Sequence, residues 1–530
     1  MSCSTKSTHR WYQDYALVFV VFIIVWATRK WQGGSLIISD GYYYVTIARN
    51  VVEGLGFTYD TIHTTNGFHW MWMLILLVLC GIAGLIVQLD SIQLIESVFA
   101  LNCLLWAYSA LVFYRLLQHL RVGVWPRYIL SIVTAIVFTD PGLTQNAING
   151  LETALFLLIL LLLANAFIEK RPWPCAILFQ LLVFTRIEGL AVLPILLYEF
   201  RNSFRSPAFI SMLFPFGVAA TFALNFVVDG SALSSSSMAK AFWAARARTD
   251  FFWSLGFKEQ IVLVLKDAVY LPCAYLSNIL SIFANPSILA LVGLSLVFIL
   301  IVLGTARCVT TVSFSDLSGL CFKIFPLILF CFVSYLVYKS YYFTPRSFAF
   351  KDLFPVTDYQ SRYYFAPHLI LLLTGIQLAI LNSFRSYLAG LMALLAITGI
   401  SWIMFLRDER STTSSVVSSV CLPAPSAVYA VANDDGFAYY TRLPIVVLDG
   451  LVTGHRISDG ASYLESMQSQ SVHSYITALK VRYLKLGAEK HLNFLAAPGT
   501  NERFSKEGRV VSLCGMGEWI ELRREDLSAS

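Results

Sequence analysis

Residues 39 to 72 read SDGYYYVTIARNVVEGLGFTYDTIHTTNGFHWMW, and this one stretch holds an acid, three adjacent tyrosines, a basic helix face and two histidines. Asp40 stands immediately before the tyrosine run. One reading makes it an N-cap, its carboxylate accepting a backbone N–H of the first helical turn. Another makes it a general base for a hydroxyl, held beside tyrosines such as Tyr43 and Tyr44 whose faces suit stacking on sugar rings. Both roles fit one residue.

Other groups carry the same two-sided reading. In NAINGLETALF, Asn149 and Glu152 have the spacing of a capping box, which needs no catalysis. In FTRIEGL, Arg186 and Glu188 suit a paired interfacial turn. Lys240 in SSSSMAKAFW and Arg362 in YQSRYYFAPHL read either as a solvated lysine and a snorkelling arginine or as clamps on a phosphate. For the second role arginine offers a planar fork and lysine a mobile point charge. Asp40, Asp60, His63, His69 and Glu152 supply ligand types for a divalent cation, but no tight ligand spacing joins them, and no metal site is assigned.

The elements that must position these groups are built for lipid. Across 530 residues the chain is 57% hydrophobic and only 13% charged, well away from soluble globular usage. Mean hydropathy is +0.67, and the expectation is a polytopic α-helical membrane protein. The net charge of +6 reads as loop lysines and arginines rather than a nucleic-acid surface. The ten cysteines lack CxxC spacing, and most lie in apolar runs where a thiol acts as a small hydrophobe.

The run from Tyr15 to Thr28 is followed by Arg29, Lys30 and Trp31 rather than a small-residue cleavage site, so it reads as a retained anchor. Apolar runs follow near 97–114, 128–139, 152–168, 174–185, 189–200, 207–227, 286–304, 322–338, 364–382 and 387–406. Placing Lys6, Arg10, Arg115, Arg121, Arg127, Lys170, Arg171, Arg201, Arg205, Arg307 and Arg385 in the cytoplasm requires that the run at 69–89 not cross. About eleven crossings then remain, the first loop (29–68) is exterior, and so is everything after Arg407. Residues 41–53 read as a short amphipathic helix lying on the membrane and stopped by Gly54.

Residues 1–406 thus form the membrane domain, and 407–530 a small exterior α/β domain. In the latter, SAVYAVAND and LPIVVLDGL read as strands, and SYITALKVRYLKL as a helix running into a third. Cys421 and Cys514 lie in polar sequence there, either disulfide-bonded or separately buried.

The order of the motifs (the acid before YYY and IARN, then TNGFH, GLETALF, TRIEG, MAKAFW, RYYFAPHL and VVLDGLV) resembles bacterial GT-C glycosyltransferases that use polyprenyl-phosphate sugars. The likeness runs from about residue 36 to about 486 and is similar to the arabinofuranosyltransferase branch. It implies an inverting transferase of the bacterial inner membrane with a periplasmic C-terminal domain. Asp40 is the position that matches the catalytic base; Lys240 and Arg362 are assigned to the donor phosphate on their chemistry, and Tyr43, Tyr44, Asn66, His69 and Glu152 to substrate binding. The implied partners are a polyprenyl-phosphate sugar, a glycan, lipid or protein acceptor and membrane lipid, with no redox or nucleotide cofactor. The chain departs from the pattern at Ser39, where relatives often pair a second acid, at Trp70, where they commonly have proline, and at Thr453, where asparagine is expected.

Two other classes compete. A transporter or lipid flippase is expected to show inverted hydropathy repeats and mid-membrane charges, whereas the charges here cluster at loop edges. A non-catalytic membrane scaffold displaying an exterior binding domain leaves the crowded first loop without a purpose.

Overall fold

A computed structural model describes most of residues 5 to 236, together with five strands between residues 428 and 521. Lys240, Arg362, Cys421, Cys514, the apolar runs from 286 to 406 and the helix expected before residue 481 lie outside the described residues. The first of these regions is helical: α1 (Thr5–Trp31), α2 (Ser39–Val52), α3 (Trp70–Ile82), α4 (Ser91–His119), α5 (Arg127–Phe138), α6 (Thr153–Ile168), α7 (Pro172–Thr185), a 3-10 helix (Ile187–Val192) and α8 (Phe216–Asp229).

Among the described residues one helix, over Ser91–Gln118 of α4, is long and apolar enough to cross a membrane. At 13 residues α3 spans only about 20 Å, short of a ~30 Å hydrocarbon core. Helices α1 and α4 run antiparallel, because Arg115 near the end of α4 donates to Asp14 near the start of α1 at 2.8 Å, while Lys30 pairs with Glu96 at the other end. Between these ion pairs α1 leaves Phe19, Val20, Ile23 and Ile24 exposed, an apolar stripe bounded by charge.

The apolar residues of α6 divide between two clusters. Leu155, Ile159, Leu163 and Ala166 join α2, α3 and α7 in one, whereas Ala154, Leu157 and Leu161 join α1, α4 and α5 in the other. Recurrence at three and four residues puts each set on its own side of the helix. Three hydroxyls inside these helices are satisfied locally. Ser109, Thr134 and Thr185 each donate to the carbonyl four residues back, at 2.9, 2.8 and 2.7 Å, which removes the cost of an unmet polar group.

Helix α2 differs from its sequence reading in two ways. Asp40 is inside the first turn rather than at the cap, where its carboxylate meets the positive end of the helix dipole. And every residue from Gly41 to Asn50 is buried, so α2 is a core element rather than a surface-lying amphipathic one. The reason is cover: α3 and the loop folded back from Gly54 to His69 enclose it. Its end is the expected one. Gly54, at φ +83°, closes a Schellman motif in which Gly54 N–H donates to Val51 and Leu55 N–H to Asn50.

The strands are β1 (Val428–Val431), β2 (Ile445–Val447), β3 (Val481–Lys485), β4 (Arg509–Ser512) and β5 (Glu518–Glu521), in the order β2-β1-β3-β5-β4. β1 pairs in parallel with both β2 and β3, with Tyr429 opposite Ile445 and Tyr483. β5 pairs antiparallel with β3 and β4. Parallel neighbours require crossover connections, so this mixed sheet is not a run of hairpins.

Candidate functional site

Two glycines set the geometry. A β-carbon on Gly41 would stand 2.7 Å from the Asn149 carbonyl oxygen and 3.2 Å from the Gly150 α-carbon. One on Gly150, whose φ is +87°, would stand 2.9 Å from the Ile37 side chain. The first turn of α2 therefore packs backbone to backbone on the turn before α6, an approach only glycine permits. Trp72 of α3 pins the same turn by donating from Nε1 to the Gly150 carbonyl at 2.9 Å. Asp40 and Glu152 thus flank one junction.

Around it the ionisable groups converge. Glu152, 3% exposed, has Oε1 3.4 Å from His69 Nε2 and 3.4 Å from Arg186 Nη1. Its Oε2 is buried without a hydrogen-bond partner among the described residues. The His69 side chain is 39% exposed and forms the open side of the group. The guanidinium of Arg186 also lies 5.8 Å from the centre of the Phe156 ring, a cation–π approach one turn along α6. Because Arg186 ends α7 and Glu152 precedes α6, this ion pair fixes the two helices as antiparallel.

Tyr44 links the cluster to α2. Its hydroxyl accepts the His69 backbone N–H at 2.9 Å. Burial pushes its phenol well above the usual tyrosine range, and the charges of Glu152 and then Asp40 push it the same way. The result is a neutral, protonated hydroxyl beside two acids.

The capping box does not form. The Asn149 side chain accepts from the Leu151 N–H at 3.1 Å, while Glu152, at the N-cap of α6, makes no side-chain cap bond. Its carboxylate turns inward to a full charge on Arg186 and to His69, which outweigh a backbone dipole. Likewise Arg186 faces Glu152 across the bundle.

Tyr43 and Tyr44 are both buried. Tyr43 meets Tyr59 edge to face at 5.0 Å, and Tyr44 meets Phe68 at 6.5 Å. Asn66 is fully buried and committed to protein: its amide donates to the Ser231 and Leu233 carbonyls at 3.2 and 3.1 Å, and its oxygen accepts from Ser235 N–H and Oγ at 2.6 and 2.8 Å. Asn225 continues the join, taking a bond from Trp70 Nε1 at 2.7 Å and giving one to the Ala232 carbonyl at 3.0 Å. The loop from Gly54 to His69 is thereby bound to the segment after α8.

Of the cation candidates, Asp60 and His63 pair with each other. Asp60 accepts the His63 N–H at 2.7 Å, and its second oxygen lies 2.6 Å from Nδ1. Among the described residues no three His, Cys, Asp or Glu side chains come together as metal ligands would. Cys80, Cys103 and Cys175 are buried free thiols, as expected of cysteines in apolar runs.

Sequence reasoning missed Arg186 as a member of the site and the close contact of Gly41 with Gly150. The Gly in NGLE, two residues before Glu152, was the one local signal of the latter. In comparison with known proteins, no family model and no curated protein matches the chain.

Proposed function

We propose that this chain is an inverting glycosyltransferase that moves a sugar from a polyprenyl-phosphate donor to a hydroxyl acceptor at the exterior face of a bacterial inner membrane. The observation that carries the reading is the packing of Gly41 on Gly150, which brings the acid at the start of α2 to the His69–Glu152–Arg186 group. Buried ionisable groups gathered at the ends of apolar helices are costly and mark function more often than stability.

In this reading Asp40 takes the proton from the acceptor hydroxyl as its oxygen bonds to the anomeric carbon. The bond from that carbon to the phosphate oxygen breaks, and its electron pair leaves with polyprenyl phosphate. A sugar joined through anomeric phosphate already carries its leaving group, so the protein need only align, deprotonate and neutralise charge. Lys240 and Arg362 are assigned to that neutralisation. About eleven crossings, with an exterior domain from residue 407 that holds the five-stranded sheet, complete the proposed architecture. The lipid setting draws support from the apolar span of α4 and the exposed apolar stripe of α1.

The test is reconstitution of the full chain in vesicles with labelled polyprenyl-phosphate pentoses and hexoses and a lysate-derived acceptor fraction. Transfer with inversion at the anomeric carbon is expected from one donor. Movement of intact lipid-linked sugar across the bilayer without bond cleavage would favour a flippase instead.

A further inference from the structure

Glu152 holds an arrangement that the reaction above leaves unexplained. One carboxylate oxygen faces two nitrogen-bearing side chains, and the other is buried with nothing among the described residues donating to it. A buried carboxylate oxygen left without a donor costs free energy in the resting protein, so its persistence calls for a partner that arrives with the substrate. The nitrogen-bearing side chains lie on the Oε1 side, and such a carboxylate repels a phosphate. What it accepts is an O–H group. His69 is the exposed member of the group. Phe156, packed under Arg186, and Tyr44, tied to the His69 backbone, hold the surrounding frame.

We infer that Glu152 Oε2 is a hydroxyl-binding subsite for the sugar, distinct from the phosphate site, and that Arg186 is the positioning residue that keeps this carboxylate aimed. The inference rests on the proposed transferase reading and adds to it a division of labour. Sugar identity is read at the turn before α6, and the lipid phosphate is held elsewhere. A subsite built to accept a hydroxyl discriminates strongly against a ligand that lacks one.

The experiment measures equilibrium binding to the full chain in nanodiscs with no acceptor present. The probes are polyprenyl phosphate of one chain length, bare or bearing a pentose or a hexose. For the wild type, one sugar-bearing lipid is expected to bind roughly tenfold or more tighter than the bare lipid. Glu152→Gln should erase that difference and leave affinity for the bare lipid unchanged. The double variant Glu152→Gln/Arg186→Met, which strands no buried charge, should behave the same way and decides the matter if the single variant fails to fold. Retention of the difference in either folded variant overturns the subsite and leaves the transferase reading standing. Equal binding of bare and sugar-bearing lipid by the wild type also overturns it. Failure of the wild type to bind any polyprenyl phosphate overturns both.

Discussion

Gly41 and Gly150 meet without side chains between them: a β-carbon on either would stand 3.2 Å from the other's α-carbon. Since Asp40 precedes one and Glu152 follows the other by two residues, this contact sets the spacing of the two acids. Gly150→Ala adds a methyl against Ile37 and a strained φ, at a cost of about 1–3 kcal/mol. The expected result is a lower unfolding temperature in detergent with a loss of turnover larger than the loss of folded protein.

Asp40→Asn tests the base. The substitution keeps the size of the side chain and gives up a favourable helix-dipole interaction of about 0.3–1 kcal/mol, so folding should survive. Transfer should fall ~100-fold or more. Near-normal turnover would leave Asp40 a structural residue of the first turn.

Much of this region is legible in the chain itself. The period of apolar residues and Gly54 define α2 to within two residues at its start and one at its end, and alternation with β-branched residues marks β1, β2 and β3. What it does not show is partnership. Glu152 and Asn149 satisfy every local rule for a capping box, yet Glu152 answers to Arg186 and His69, neither of them near it in sequence. The edge strand β4 and its neighbour β5 carry charge at their ends, Arg509 in one and Glu518 and Glu521 in the other, where β1 and β2 are apolar throughout. Within the expected run at 207–227, Pro215 stands at the N-cap of α8, so the helix starts only at Phe216.

Tyr44 gives a pH signature. Its folded-state phenol titrates well above the unfolded value near 10, so the folded state holds this proton after the unfolded chain releases it. Its contribution to stability is complete below pH ~10 and declines as pH rises beyond it, by at most about 1.4 kcal/mol per unit. Denaturant midpoints taken between pH 9 and 11 should therefore fall more steeply for the wild type than for Tyr44→Phe. Parallel slopes would place the alkaline titration elsewhere.

Asn66→Ala should unfasten two segments at once. It strands the Ser231 and Leu233 carbonyls and the Ser235 N–H, each at a cost of about 1–3 kcal/mol if left unmet. Hydrogen exchange is expected to accelerate together in residues 57–69 and 231–235 while α4 keeps its protection. Acceleration of the first segment alone would show that the two are not coupled.

The proposed phosphate clamp is tested by Lys240→Met and Arg362→Met, each expected to weaken binding of bare polyprenyl phosphate. Arg362→Lys should restore only part of the loss, because the guanidinium fork is gone. Unchanged affinity and turnover in both methionine variants would return the pair to a solvated lysine and a snorkelling arginine.

The ion pairs joining α1 and α4 act as a ruler. Asp14 and Lys30 stand about 24 Å apart along α1, and Glu96 and Arg115 about 28 Å along α4, at 1.5 Å per residue. In the proposed bilayer placement these marks match a hydrocarbon layer on the thin side of average, so thicker synthetic bilayers meet charge where they need methylene. Such lipids must thin around the protein, or the α1–α4 hairpin must stand more upright. In either case the acids of the site shift relative to the plane in which a lipid-linked sugar presents its anomeric carbon, which makes acyl-chain length a control over turnover that leaves every residue unchanged.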